Sequence, residues 1–182
     1  LLIEGTLALG PATNASRRLS VWDGSTLAPF QTGFDASIYE MTPTNVLGRP
    51  GVAAMGVFTQ ASGVSLPGLG IFDGAAWTEV PTSPIDVATF QRMISFDPDG
   101  SGPAPEKLIV GGAFASIGGV AAQYIAGWDG QAWSALGTGF VTIPTAMTLW
   151  DADGPGGARP VLLVGGGPLS GGPGTPAPLM AW

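Results

Sequence analysis

Apolar residues along this chain come in short bursts broken by glycine and proline. The clearest burst is Leu108-Ile109-Val110, closed by Gly111-Gly112. Such a run is expected for a strand buried on both faces. Around it a unit of four strands can be read. Strand one covers 90–96, followed by a loop at 97–106; strand two covers 108–112. A glycine-bearing connection at 115–122 leads to strand three at 124–128, and strand four covers 131–136. Asp129-Gly130 stands between the last two. It is the dipeptide favoured by a two-residue type I′ hairpin turn, whose central positions both need positive φ. That turn sets Trp128 opposite Gln131 and puts Trp133 on the same sheet face as Trp128.

The pattern recurs at a nearly constant interval. Trp128-Asp129-Gly130 has earlier copies in Trp22-Asp23-Gly24 and Phe72-Asp73-Gly74. Leu108-Ile109-Val110-Gly111-Gly112 returns as Leu162-Leu163-Val164-Gly165-Gly166. Asp97-Pro98-Asp99-Gly100 returns, by the same step along the chain, as Asp151-Ala152-Asp153-Gly154. Met41, Met93 and Met147 keep the same phase. The second copy pairs Phe72 with Trp77 as the third pairs Trp128 with Trp133, and the first has Trp22 and Leu27. Agreement of independent landmarks marks an internal repeat. Its copies are expected at 1–36 (partial), 37–84, 85–139 and 140–182 (partial).

Composition then decides what kind of chain carries the repeat. With 30 glycines and 17 prolines in 182 residues, low complexity or disorder is the first suggestion. A hydrophobic content of 45% and six tryptophans oppose it, since disordered chains are poor in aromatics and rich in charge. Many short strands joined by many turns satisfy both observations. The uncharged stretch 108–128 is long enough to span a bilayer, but it is rich in glycine and has weaker copies elsewhere, so it reads as strands. No signal peptide is visible. The chain has no Cys and no His, which removes disulfides, thiolate metal sites, imidazole bases and Ser-His-Asp triads. A net charge of −7 with six scattered cations gives no footprint for nucleic acid.

The run Leu108 to Phe114, then Ile125-Ala126-Gly127-Trp128-Asp129-Gly130-Gln131-Ala132-Trp133, resembles a kelch-type β-propeller blade. It is similar to galactose-oxidase central-domain repeats in large secreted bacterial proteins of the planctomycete and myxobacterial type. The resemblance rests on Gly111, Gly112, Tyr124, Trp128, Asp129, Gly130 and Trp133. It is uneven: the second copy has Met55-Gly56 for the doublet, and the first has Glu4-Gly5 and Pro43 to Gly51 in place of the acidic loop. It implies an all-β fold of four-stranded antiparallel blades, about three and a half of them in 182 residues. A β-sandwich is the alternative fold; it explains short strands but not the fixed phase. A WD40 propeller fits less well, because its Gly-His element needs a histidine. Propellers close with four to eight blades, so a fragment of a longer reading frame is expected. An open arc would leave a blade face free for association with the remaining blades or with a second arc.

Few residues suggest chemistry. Asp97, Asp99, Asp151 and Asp153 place paired carboxylates in glycine-rich loops, with Glu106 as a distal ligand for the first, and so are calcium candidates. The competing reading is turn geometry, for which Asp and Gly are well suited. Asp23, Asp73 and Asp129 are explained by their turns. Residues 165–172 look superficially like a phosphate loop but lack its Lys-Ser/Thr ending. Asn14-Ala15-Ser16 is a sequon, and Arg17-Arg18 is a paired basic site read as solvated surface. The copper chemistry of galactose oxidase is not carried over, since no Cys or His stands in this chain. The expected role is a non-catalytic scaffold or binding module, secreted or at the cell surface, for protein or carbohydrate, without cofactor, nucleic acid or membrane span. The alternatives are a piece of a propeller enzyme, carbohydrate-active or oxidase-like, whose catalytic residues lie elsewhere, and a structural array protein.

Overall fold

The computed structural model describes residues 2–4, 19–30, 33–83, 89–100, 102–151, 159–169 and 177–181. Among them there is no helix, and the protein is all-β. The strands, in chain order, are β1 (Leu2–Glu4), β2 (Leu19–Trp22), β3 (Leu27–Pro29), β4 (Ile38–Thr44), β5 (Gly51–Gly56), β6 (Gln60–Ala61), β7 (Val64–Ser65), β8 (Leu69–Phe72), β9 (Trp77–Glu79), β10 (Thr89–Phe96), β11 (Lys107–Ala113), β12 (Ser116–Ile117), β13 (Val120–Ala121), β14 (Ile125–Trp128), β15 (Trp133–Ala135), β16 (Pro144–Trp150), β17 (Val161–Leu169) and β18 (Ala177–Ala181). They form two four-stranded sheets, β4-β5-β8-β9 and β10-β11-β14-β15. Two three-stranded sheets, β1-β2-β3 and β16-β17-β18, and two ribbons, β6-β7 and β12-β13, complete the set. No helix among the described residues is long and apolar enough to cross a membrane.

The repeat survives at the level of hydrogen-bond register. Trp22 pairs with Leu27, Phe72 with Trp77 and Trp128 with Trp133, all antiparallel. Met93 pairs with Val110, and Met147 with Val164. A bulge separates Phe90 from Arg92 opposite Gly112 and Gly111, and another separates Pro144 from Ala146 opposite Gly166 and Gly165. β1-β2-β3 thus repeats the last three strands of the unit, and β16-β17-β18 the first three.

Two compact units divide the chain, the first made of 1–41 and 52–81, the second of 42–51 and 82–182. In the first, Phe34 is the centre of an aromatic cluster. Its ring lies 4.6 Å from Phe58 and 4.8 Å from Trp77, both edge-on, as aromatic quadrupoles prefer. In the second, β11 is buried on both faces, as its unbroken apolar run requires. Ile109 and Ile125 join Leu162 and Val164 in one buried cluster, flanked by Ile94, Phe96 and Met147.

Three details differ from the sequence reading. Trp128 lies opposite Trp133, not Gln131, and strand four begins at Trp133. The loop runs from Asp129 to Ala132 because the Asp129 carboxylate organises it, accepting the N–H groups of Gln131 (2.9 Å) and Ala132 (2.8 Å). Only Gly130 takes positive φ (95°), so the type I′ condition is not met there. Among the described residues, positive φ at both central residues is taken by Ser62-Gly63 (49°, 82°) and Gly118-Gly119 (56°, 81°), which close the ribbons β6-β7 and β12-β13, and by Gln123-Tyr124 (45°, 73°) ahead of β14. The stretch 115–122 is therefore a folded ribbon inserted between the second and third strands, and not a plain connection. In the glycine doublet, the second member carries the geometric demand. A Cβ on Gly112 would stand 2.5 Å from the Thr89 carbonyl oxygen, and one on Gly56 would collide with the Ser37 carbonyl oxygen at 2.1 Å. Met55 is tolerated at the first position because that demand falls on Gly56.

Candidate functional site

The recurring aspartates are fully engaged by their own turns. Asp23 Oδ1 accepts the N–H groups of Ser25 and Thr26, both at 2.8 Å, and Asp73 Oδ1 those of Ala75 and Ala76, both at 2.9 Å. Asp129 repeats the arrangement. In each turn the Asp N–H donates back across the loop, to the carbonyl of Thr26, Ala76 or Ala132. Hydrogen bonds to the charged form favour it. The backbone donors Thr26 and Ser25, joined by their hydroxyls, hold Asp23 well below the usual carboxylate range. The N–H groups of Ala132 and Gln131 lower Asp129, with help from the Lys107 charge. All three carboxylates close turns, and Asp23 and Asp129 are poorly suited to proton transfer near neutrality.

The acidic loop between β10 and β11 is likewise turned inward. Asp97 Oδ1 accepts Asp99 N–H at 3.1 Å, and Asp99 Oδ2 accepts Ala104 N–H at 2.8 Å. Asp99 Oδ1 is buried and has no partner among the described residues. Glu106 does not complete a cation site with them. Its Oε1 accepts from the Thr44 hydroxyl (2.7 Å), from Asn45 N–H and from the Ser95 hydroxyl. Asn45 Nδ2 reaches its Oε2 at 3.3 Å, and the Ser95 and Thr44 hydroxyl oxygens lie 3.1 Å apart. Burial pushes Glu106 up, but the Ser95 and Thr44 hydroxyls and the Asn45 N–H outweigh it and hold the group below its ordinary value. Among the described residues no three His, Cys, Asp or Glu side chains come together. Two loop aspartates supply fewer oxygens than the six to eight that calcium takes. Asp151 is exposed. Asp153, Gly5, the sequon at Asn14, the pair Arg17-Arg18 and residues 170–172 lie outside the described residues.

One hollow is formed on the β10-β11-β14-β15 sheet. Phe96, Pro98, Lys107, Ile109, Leu136 and Gly137 are among its lining, and its volume is about 220 Å³. Phe96 pairs with Lys107 across β10 and β11, which puts an aromatic ring and an ammonium side by side on one face. Lys107 Nζ donates to Ser134 Oγ at 3.1 Å, and Ser134 Oγ donates to the Gly127 carbonyl at 3.3 Å. The cation is thereby held by β15, two strands away in the sheet. The hollow is smaller than ordinary small-molecule sites, whose volumes begin at roughly 300 Å³. It suits one sugar ring or one inserted side chain. No lining residue is a carboxylate, so it offers an apolar wall and one cation but no acid–base pair.

Sequence reasoning missed this hollow, because it depends on the register of 96 against 107 and on the chain returning at 135–137. It named Tyr124 as a repeat residue at the start of strand three but missed its positive φ of 73°. Its counterpart in the preceding copy is Gly68, at φ = 80°. Both make the same bonds: Tyr124 N–H to the Phe114 carbonyl and Gly68 N–H to the Phe58 carbonyl. A bulky residue there is an outlier, and the glycine in the other copy was the available signal. Comparison with family models, with curated proteins and with solved structures gives no match.

Proposed function

We propose that this chain is a run of kelch-type propeller blades that serves as a non-catalytic binding module, exported or displayed at a cell surface. Its partner is a protein or a carbohydrate. The observation that carries the reading is the repeated unit itself. One turn, an aspartate capping two backbone N–H groups ahead of an aromatic or leucine, occurs three times in one register. Four-stranded antiparallel meanders with this phase are the building unit of propellers. The binding half of the reading rests on the hollow beside Phe96 and Lys107, where an apolar wall meets a fixed donor. Aromatic and aliphatic walls take the apolar face of a sugar ring or a side chain, and the ammonium takes a hydroxyl or carboxylate oxygen.

The test is titration of isotopically labelled protein with a panel of oligosaccharides and of short acidic and neutral peptides. Saturable shifts centred on Phe96, Lys107 and Leu136, weakened by Lys107→Ala, are expected. Turnover of a glycoside or of an oxidase substrate by the chain would overturn the non-catalytic reading. Shifts elsewhere, or none, would overturn the site.

A further inference from the structure

Successive residues of a strand point to opposite faces. On β16, Met147 and Leu149 share one face, Thr148 and Trp150 the other. The face is packed at Met147, while Leu149 on its edge is 40% exposed. A Cβ on Gly111 would lie 2.5 Å from Met147 Cε, and Leu162 and Val164 share the buried cluster of Ile109 and Ile125. The receiving sheet presents Ile94, Phe96 and Ile109 to this contact.

Advancing these three positions by one repeat gives Thr148, Trp150 and Leu163. The pairing agrees: Ile94 opposes Ile109, and Thr148 opposes Leu163. The receiving face therefore recurs one unit later, on the outer side of β16-β17-β18. There it is open. Ile109 is 1% exposed and Ile94 and Phe96 pack on the cluster, whereas Trp150 is 54% exposed, Thr148 is exposed and Leu163 is half-buried. At the other end of the repeat one tryptophan is more exposed than its counterpart, although Ser20 on the same face is buried. Trp128 is 6% exposed, but Trp22, at the same repeat position, is 37% exposed.

We propose that the Trp150–Leu163 face is a docking surface for a second copy of this chain, which presents the Trp22 face of its β1-β2-β3 sheet. The contact continues, between copies, the sheet-on-sheet contact seen between the β10 and β16 sheets. The two patches differ, so the association is head-to-tail. It rests on the repeat and on the exposures, not on the ligand of the module. A net charge of −7 on each copy opposes the approach, so salt tightens it.

Sedimentation velocity of the chain over the micromolar range tests this. The wild-type protein forms dimers or larger species, more readily at high salt. Trp150→Asp and Trp22→Asp are each monomeric while keeping the wild-type circular dichroism. Val57→Asp, an equally exposed apolar site, leaves association intact. Mixing the two tryptophan variants restores a one-to-one pair, because each retains the patch the other lacks. A monomeric wild-type chain, association that survives both substitutions, or variants that fail to complement each other would each overturn the proposal.

Discussion

Trp133 is the residue whose removal most sharply tests the packing of the repeated unit. Its side chain is 7% exposed, and its ring lies 5.5 Å from that of Trp128, tilted by 50°. Gly118 is packed so close that a Cβ there would stand 2.3 Å from Trp133 Cδ1. The indole thus fills the space between the hairpin partner and the β12-β13 ribbon, and neither side has slack to collapse. Truncation to alanine loses the transfer free energy of a large aromatic and leaves a cavity, together about 3–5 kcal/mol. For a chain of this size that corresponds to a fall in melting midpoint of roughly 6–20 °C. The comparison is Trp150→Ala, which removes the same side chain from a position 54% exposed and costs about 0.5 kcal/mol or less. Urea denaturation followed by fluorescence measures both. A Trp133→Ala midpoint within about 0.5 kcal/mol of the wild type, or equal effects of the two substitutions, would refute the packing assignment.

Three further outcomes follow from the geometry. Gly112→Ala drives a Cβ against the Thr89 carbonyl and costs about 1–3 kcal/mol. Gly119→Ala meets open space at φ = 81° and costs about 1 kcal/mol, so a reversed order in thermal melts contradicts the close-approach argument. Glu106→Gln removes the charge that Thr44, Asn45 and Ser95 share and lowers stability by about 1–2 kcal/mol. Amide exchange at Asn45 then accelerates, and unchanged exchange would deny the link. Asp23, Asp129 and Glu106 are lowered in the folded chain, as is Asp35, where burial acts upward but the Thr59 hydroxyl and the Gln60 and Thr59 N–H groups prevail. A depressed carboxylate stabilises the fold above its unfolded value, about 4, and loses that contribution as pH falls through the folded value. Without His or Cys, no unperturbed side chain titrates between about pH 5 and 8. The denaturation midpoint is therefore flat there and declines below; a midpoint that rises on acidification contradicts the assignment.

What could be read from the residues alone was what is local. An aspartate that caps the N–H groups two and three residues ahead leaves its mark in a tripeptide, so Asp23, Asp73 and Asp129 fixed the phase of the repeat. The hairpin register was misread because Asp-Gly satisfies two turn types, and the side-chain cap selected the longer one. Ser62-Gly63 escaped notice because serine rarely takes positive φ, yet Gly118-Gly119 at the same repeat position carried the signal. Glu106 could not be placed. Its partners Thr44 and Asn45 are far away along the chain, and only the strand pairing brings them together. The hollow at Phe96 and Lys107 is of the same kind: each residue is ordinary, and the site exists only in the register.

The central proposal, that these sheets are propeller blades, is tested most directly by an X-ray structure of the chain. The proposal predicts propeller blades, with the β10 and β16 sheets as successive members. Two sheets packed face to face, as in a β-sandwich, would contradict it.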